Sequence, residues 1–405
     1  MTAPPVSVIV VSRHRPNDLL RCIASLCQQD HPQIEIVIVA DPASASLVRG
    51  LGLPLKLMEF DVANISAARN AGLAAASGDV AAFIDDDAAA EPTWVRRLAE
   101  PFADPRVMQS GGYVIGRNGF SYQWRALKVD ATGQDHPFVV QQGASLHSGT
   151  PLLAVKTQGT NCAFRRAALL RIGGFSPLFR FYLDEADVNL RLAAAEGLTA
   201  VVTNAVVHHA FSASANRRAD RTPLTLHEIG ASSAVFLRMH APQEIDLALD
   251  RLCHAQRSRL IRMMVEGRIE PREVTPLLST LDAGIADGRS RQIAPMQLLP
   301  SYQSEFLPFA GSGPRPGLVL SARPETKGRV KEAALQARAA GQIVTVIELS
   351  RGPRRHRMRF TRDGIWWQAG GQFGASERTD PIFSPWRFED RVAREASRLS
   401  GLRPI

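Results

Sequence analysis

Three consecutive aspartates, Asp85-Asp86-Asp87, close a short apolar run at Val80–Ile84. Like charges this close repel, and folding gains nothing from them unless a cation or solvent compensates. Asp85 and Asp87 stand two residues apart and can point the same way, sharing a divalent ion. Carboxylate oxygens suit hard ions such as Mg2+ or Mn2+, and these in turn bind diphosphate oxygens. A solvated acidic turn before the helix at Pro92 explains the tripeptide equally well.

A second acidic group, Asp184-Glu185-Ala186-Asp187, opens a helix. Acids favour helix N-termini for structural reasons alone, through capping and the macrodipole. Asp184 and Asp187 lie three apart and share a face, while Glu185 is turned about a quarter-circle away. One acid can therefore act chemically while another fixes the helix start. His208 and His209 end a later strand. Such pairs are more often packed or surface residues than ligands, although neutral imidazole binds divalent ions well. Gly159-Thr160-Asn161 offers N–H groups and small polar side chains where a phosphate or sugar can dock. Gly111–Gly116 has the wrong spacing and context for a dinucleotide loop.

The elements that must position these groups alternate. Val6–Val11, Ile34–Val39, Leu55–Phe60 and Val80–Ile84 read as strands suited to buried parallel pairing. Between them, Asn17 or Asp18 caps a helix carrying Leu19, Ile23 and Leu26, and Ile65–Ala76 forms a small-residue helix. Pro92 sits in the first turn of a helix whose inner face is Trp94, Val95 and Leu98. This order implies a mostly parallel, right-handed wound sheet with ligands beyond the carboxyl ends of its strands. Asp41 and the aspartate cluster both fall on that rim. Gly111–Ser148 reads as loops with short strands, Ala163–Arg171 and Asp187–Glu196 as helices, and Ala200–Val207 as a strand. Leu226–Met239, Glu244–Glu266 and Pro271–Ala286 continue as helices. Pro300–Pro316 has a linker composition. Leu318–Ser321, Lys327–Ala340 and Ile343–Leu349 then form a strand–helix–strand unit, followed by a last helix near Phe388–Leu399.

The 405 residues are 45% hydrophobic and 21% charged, ample for one large core or a few smaller ones, and disorder is excluded as the main state. No apolar run nears the roughly 18–20 residues of a membrane helix. The N-terminus lacks a signal-peptide pattern. Cys22, Cys27, Cys162 and Cys253 form neither a disulfide framework nor a zinc spacing, so a reducing cytoplasm is expected. The net charge is +9, yet residues 1–240 hold 22 Lys and Arg against 21 Asp and Glu, leaving +8 for the remainder. Such an excess suits nucleic acid, anionic lipid or phosphorylated substrates, but a solvated basic face is the simpler expectation.

The order of the motifs is more specific than any one of them. VSVIVVSRHRP (Val6–Pro16), EIVIVAD (Glu35–Asp41), ISAARNAG (Ile65–Gly72), FIDDD (Phe83–Asp87), GTNCAFRRAALLRIGGF (Gly159–Phe175), DEADVNLR (Asp184–Arg191) and His208 follow one another. This series resembles the family 2 glycosyltransferases of the GT-A fold over roughly residues 5–215. The resemblance implies a Rossmann-like, mostly parallel α/β domain (1–240), to which the sequence adds a helical segment (241–299), a linker (300–317) and a small basic α/β module (318–405). It places Pro16, Asp41, Arg69, Asp85 and Asp86 around a nucleotide-diphosphate sugar. Asp85, Asp87 and His208 become the ligands of Mn2+ or Mg2+, and Glu185, with Asp184 as its neighbour, the catalytic base. Thr160, Asn161 and Asp187 are expected near the acceptor or a phosphate.

Departures from the family pattern leave two choices open. Asp-Glu replaces the more frequent Glu-Asp, so the base is Glu185 or Asp184, and His209 can replace His208. Ala40 replaces the first acid after the second strand, and Arg13-His14-Arg15 replaces the common Tyr-Asn. The implied activity is inverting transfer to a saccharide or lipid-linked saccharide, in cell-surface polysaccharide or glycolipid synthesis, with no nucleic acid partner. A nucleotidyltransferase and a non-catalytic sugar- or anion-binding protein are the alternatives. RGPRRHRMR (Arg351–Arg359) is expected to be a basic surface, with peripheral contact to an anionic inner membrane face as the second choice.

Overall fold

The computed structural model describes residues 3–300 and 304–405. From the amino end, β1 (Val6–Ser12), α1 (Pro16–Leu26), β2 (Ile34–Ala40), α2 (Pro42–Arg49), β3 (Lys56–Glu59), α3 (Ile65–Ala75) and β4 (Val80–Asp85) alternate. Next come β5 (Ala88–Ala90), α4 (Trp94–Ala99), β6 (Val107–Ile115) and β7 (Tyr122–Trp124). Short strands β8 (Leu127–Asp130), β9 (Asp135–Pro137), β10 (Ala144–His147), β11 (Leu153–Lys156) and β12 (Cys162–Arg165) lead to α5 (Arg166–Arg171), α6 (Asp184–Ala194) and the long β13 (Leu198–His209).

The principal sheet runs β3-β2-β1-β4-β12-β6-β13-β10. Within it β12 and β10 are antiparallel to their neighbours and the other pairs are parallel. This is a mostly parallel α/β sheet, as expected from the alternating strands and helices. Side chains alternate across a strand, so β1 serves two cores. Val6, Val8 and Val10 pack with Leu19, Ile23 and Leu26 of α1, whereas Ile9 packs with Leu73 of α3 on the other face.

Several local expectations change. Pro16 opens α1 without a side-chain cap, so neither Asn17 nor Asp18 caps it, and Asp18 pairs with Arg21 instead. Asp41 caps α2, a helix the sequence did not suggest, by accepting from the Ser44 N–H at 3.1 Å. The start of Ala163–Arg171 is strand, because Cys162, Ala163 and Phe164 are sandwiched between β4 and β6 before α5 begins.

Beyond the sheet lie α7 (His227–His240), α8 (Ile245–Val265) and α9 (Pro271–Ser290). A Cβ on Gly284 would lie 2.0 Å from the His227 carbonyl oxygen, and one on Gly288 2.2 Å from that of Ala231. These glycines let α7 and α9 touch backbone to backbone, so α7 packs with the helical segment although the expected boundary at 240 separates them. The linker expected at 300–317 partly covers residues 301–303, which lie outside the described residues. Its remainder is strapped to the sheet: Phe309 donates its N–H to the Ile34 carbonyl at 2.8 Å and enters the core with Val8 and Ile36.

The C-terminal unit comprises β14 (Gly317–Ala322), α10 (Lys327–Ala339), β15 (Ile343–Ser350), β16 (Arg357–Phe360), β17 (Trp366–Gly371) and α11 (Phe388–Leu399). Its strands form a separate sheet in the order β14-β15-β17-β16, distinct also from the small sheet β11-β8-β9. It docks on the first domain through Trp366, whose indole N–H reaches Gln28 Oε1 at 3.1 Å, and through Thr93 Oγ1, which donates to the Leu402 carbonyl at 2.9 Å. Around β16 the arginines at 351, 354, 355, 357 and 359 are exposed while His356 and Met358 are buried. No helix among the described residues is long and apolar enough to cross a membrane.

Candidate active site

β4 delivers Asp85 to its carboxyl end, and the chain turns at once into β5. β5 pairs antiparallel with the end of β13, setting Ala88 opposite His209. That pairing folds His209 back over the aspartates. Asp85, Asp87 and His209 bring one ligand atom each within 4.8 Å of one another. His209 Nε2 lies 3.1 Å from Asp87 Oδ1 and 3.8 Å from Asp85 Oδ2. Its Nδ1 faces the side-chain oxygen Oε1 of Gln123 at 3.2 Å, which can only accept, so in the neutral ring Nδ1 carries the proton. The bare Nε2 then points at two carboxylates, an arrangement that repels unless a cation or proton lies between them. Two carboxylates and an imidazole are a fitting donor set for Mn2+ or Mg2+. His227, Glu228 and Asp287 also cluster, but there Arg291 already pairs with both acids.

The remaining oxygens are fixed by protein. Asp87 Oδ2 accepts from the Ser212 N–H at 2.7 Å. Burial pushes the Asp87 acid upward, but a proton shared with His209, the charge of Arg15 and that N–H hold it well below the usual carboxylate range. Asp86 turns inward, accepting from Ser12 Oγ at 2.7 Å and pairing with Arg15 Nη2 at 2.5 Å. Its complete burial pushes it up to about 8, against the pull of Arg15.

The second acidic group is tied to the first by α3. Ser66 Oγ donates to the Phe179 carbonyl at 2.7 Å, and the Asn70 side chain exchanges two hydrogen bonds with the Phe175 backbone, at 2.7 and 2.8 Å. These bonds hold the segment that leads into α6. Between them Arg69 pairs with Asp184 through one nitrogen and with Asp85 Oδ1, at 3.4 Å, through another. Its guanidinium lies over the Phe175 ring, 5.3 Å from the centroid, and a Cβ on Gly159 would stand 2.5 Å from its Nη2. A single buried cation thus bridges the aspartate turn and the start of α6.

That start is strained. Tyr182 and Leu183 adopt φ of 76° and 65°, a region costing non-glycine residues about 1–3 kcal/mol each and concentrated at functional sites. The turn puts Asp184 and Glu185 at the positive end of α6. Glu185 is half-buried, and burial, then the neighbouring Asp184, push its acid up to about 7 while Lys156 and Arg69 pull it down. A carboxylate so poised can take a proton at neutral pH.

The structure therefore joins Arg69, Asp85, Asp87, Asp184 and Glu185, and redistributes the other expected residues. His208 is not at the metal-binding cluster. It points to the opposite face of β13, where its Nε2 lies 2.8 Å from Glu91 Oε1 and its ring lies beside Trp366. Its neighbour His209 fills the place expected for it. Asp86 is fully buried and does not face a nucleotide. Asp187 is consumed by Arg191, at 2.6 Å, and His240, at 2.9 Å, so it is an internal tie and not an acceptor contact. Asn161 is likewise internal: it accepts from the Trp94 indole and donates to the Tyr113 and Ala205 carbonyls. Thr160 is buried with its hydroxyl unpartnered. Asp41 lies on the strand-end rim, but it is 2% exposed and its oxygens accept from Ser44 and His14 N–H groups. Pro16 lies at the start of α1 beside Arg15.

Sequence reasoning missed Ser66, Asn70, Gln123 and the metal-side role of Arg15. The first two belong to the ISAARNAG motif, whose polar residues at 3–4 spacing were the available signal. A surface concavity lined by Pro5, Gly78, Val80 and Phe102 opens at the amino ends of the strands, away from this chemistry.

Residues 7–184 match the family model described as Glycosyl transferase family 2. Among characterised relatives, the glucosyl-dolichyl phosphate glucuronosyltransferase of Haloferax volcanii is 28% identical over 182 residues, 42% of this chain and 55% of that protein. The succinoglycan biosynthesis protein ExoM of Rhizobium meliloti is 31% identical over 107 residues, 24% of this chain and 34% of its own. The chain thus spans about half or less of the length of these relatives. Among solved structures, the mannosyltransferase PcManGT of Pyrobaculum calidifontis, in complex with GDP-Man and Mn2+, overlays with a TM-score of 0.41 at 18% identity, covering 70% of this chain and 87% of that one. GalNAc-T7 with UDP, GalNAc and Mn2+ gives 0.43 at 15% identity, covering 51% and 44%.

Proposed function

We propose that the chain is an inverting glycosyltransferase that moves a sugar from a nucleotide-diphosphate sugar to a hydroxyl of a saccharide or lipid-linked saccharide. The observation that carries this reading is the Arg69 bridge between Asp85 and Asp184, which sets a metal-binding turn and a poised carboxylate side by side. Asp85, Asp87 and His209 would hold a divalent ion, which would supply Lewis-acid stabilisation of negative charge on the leaving diphosphate. Glu185 takes the proton from the acceptor hydroxyl as that oxygen attacks the anomeric carbon. The bond from that carbon to the diphosphate oxygen breaks on the opposite face, so an α-linked donor yields a β-glycoside. Asp184 is held by Arg69 and keeps Glu185 basic through its charge. The glucuronosyltransferase relative supports a phosphate-bearing lipid acceptor, and the exposed arginines of 351–359 suit contact with an anionic membrane.

The experiment is a screen of nucleotide sugars with Mn2+ for release of nucleoside diphosphate, with and without acceptors. The reading expects one donor to be turned over and Asp87→Asn to abolish it. Release of pyrophosphate from nucleoside triphosphates would replace it with a nucleotidyltransferase.

A further inference from the structure

Two residues beyond His209, the Phe211 ring packs against the imidazole, with centroids 4.4 Å apart. Three guanidinium groups gather on that ring: Arg117 and Arg217 each at 5.7 Å from the centroid, and Arg221 at 4.2 Å. Arg117 is spent locally, donating to the carbonyls of Ala210, Phe211 and Ala219, and so staples the loop after β13. Arg217 gives only its Nε, to the Ser212 carbonyl at 3.3 Å. Among the described residues neither Arg217 nor Arg221 makes an ion pair with a carboxylate. Arg221 is also held at φ 72°.

Such a gathering is unfavourable by itself. Arg217 is half-buried and Arg221 exposed; the part of Arg221 that is covered lowers its basicity first, and Arg217, Arg259, Arg117 and Arg268 lower it further. Arg217 also feels burial first, then the attraction of Asp87 and the repulsion of Arg15. The loop is anchored to the aspartate turn, since Ala210 N–H donates to the Asp87 carbonyl at 2.9 Å and Ser212 N–H to its side chain. The unpaired positive charge therefore lies beside the proposed metal cradle. Guanidinium forks match phosphate oxygens in geometry and charge.

We propose that Arg217 and Arg221 form a phosphate-binding subsite on the Phe211 platform, which holds a phosphate group of the substrate next to the divalent ion. This deepens the glycosyltransferase reading and rests on it for the identity of the phosphate. The group is either the donor's diphosphate or the phosphate of a lipid acceptor. It takes the place of Asn161 and Asp187, which the structure turns to other uses.

The test is calorimetric titration of the full-length protein with Mn2+ present, using pyrophosphate in one arm and geranyl phosphate in the other. Wild type is compared with Arg217→Gln/Arg221→Gln, whose melting temperature and Mn2+ affinity serve as fold controls. A tenfold or greater loss for pyrophosphate supports the subsite and assigns it to the donor. The same loss confined to geranyl phosphate supports it and assigns it to the acceptor. Unchanged binding of both probes, or no binding of either by wild type, overturns the proposal. Donor turnover measured in parallel separates the two claims: active wild type with an unaffected variant refutes the subsite alone, and inactive wild type refutes the transferase reading.

Discussion

Glu91 and Arg403, 312 residues apart, form an ion pair with no solvent exposure of either side chain. Arg403 Nε meets Glu91 Oε2 at 2.9 Å, the guanidinium lies 3.8 Å from the Trp366 ring centroid, and Glu91 also holds His208. The last residues of the chain thus reach the strand whose next residue, His209, faces the proposed metal cradle.

Removing one partner of a buried pair leaves an uncompensated charge, so Arg403→Met is expected to destabilise the protein by about 3–5 kcal/mol. Thermal unfolding measures this, and a loss under 1 kcal/mol (roughly the value of an exposed pair) would count against the pair's burial. Burial alone would raise the Glu91 acid, but Arg403 and His208 hold it below its ordinary 4.5. Its stabilisation is therefore present above about pH 4.5 and lost as pH falls through the lower folded value.

Gln123 sets the His209 tautomer by accepting from Nδ1. Gln123→Leu is expected to weaken Mn2+ binding by about 10- to 100-fold, as loss of such supporting partners does elsewhere. Manganese titration followed by electron paramagnetic resonance reads the change. Equal affinity in variant and wild type would show that the ring needs no such orientation.

With its acid near 7, Glu185 must lose a proton before it can act, so transfer should fall below about pH 7, tenfold per unit well below it. Lys156 lowers that value, so Lys156→Met should move the acid limb to higher pH. A pH–rate profile of both proteins decides the matter, and an unmoved limb would assign the titration to another group.

Much of the first domain was legible because its signals are local. Val6–Val11 and Ile34–Val39 are apolar but for Ser7 and Glu35, as strands buried on both faces are, and the aspartate triplet directly follows the apolar run Val80–Ile84. Glu185 was legible through its helix and motif. The choice between His208 and His209 was not, because it depends on which face of β13 meets β5, a pairing made across more than a hundred residues. Asn161 is a polar residue beside the site whose partners, such as Trp94, come from distant segments, so its internal use could not be read locally; for Asp187 the i,i+4 partner Arg191 was a local signal and only His240 is distant. The same holds for Gln28–Trp366 and Glu91–Arg403, which make the C-terminal unit part of the scaffold behind the site.

The central claim is that Glu185 is the base of a transfer reaction, and it is tested by single-turnover transfer with Glu185→Gln beside donor binding by calorimetry. The account predicts unchanged donor affinity and a transfer rate about 100- to 10,000-fold lower, the usual contribution of a general base. Transfer within tenfold of wild type would contradict it and move the chemistry to Asp184.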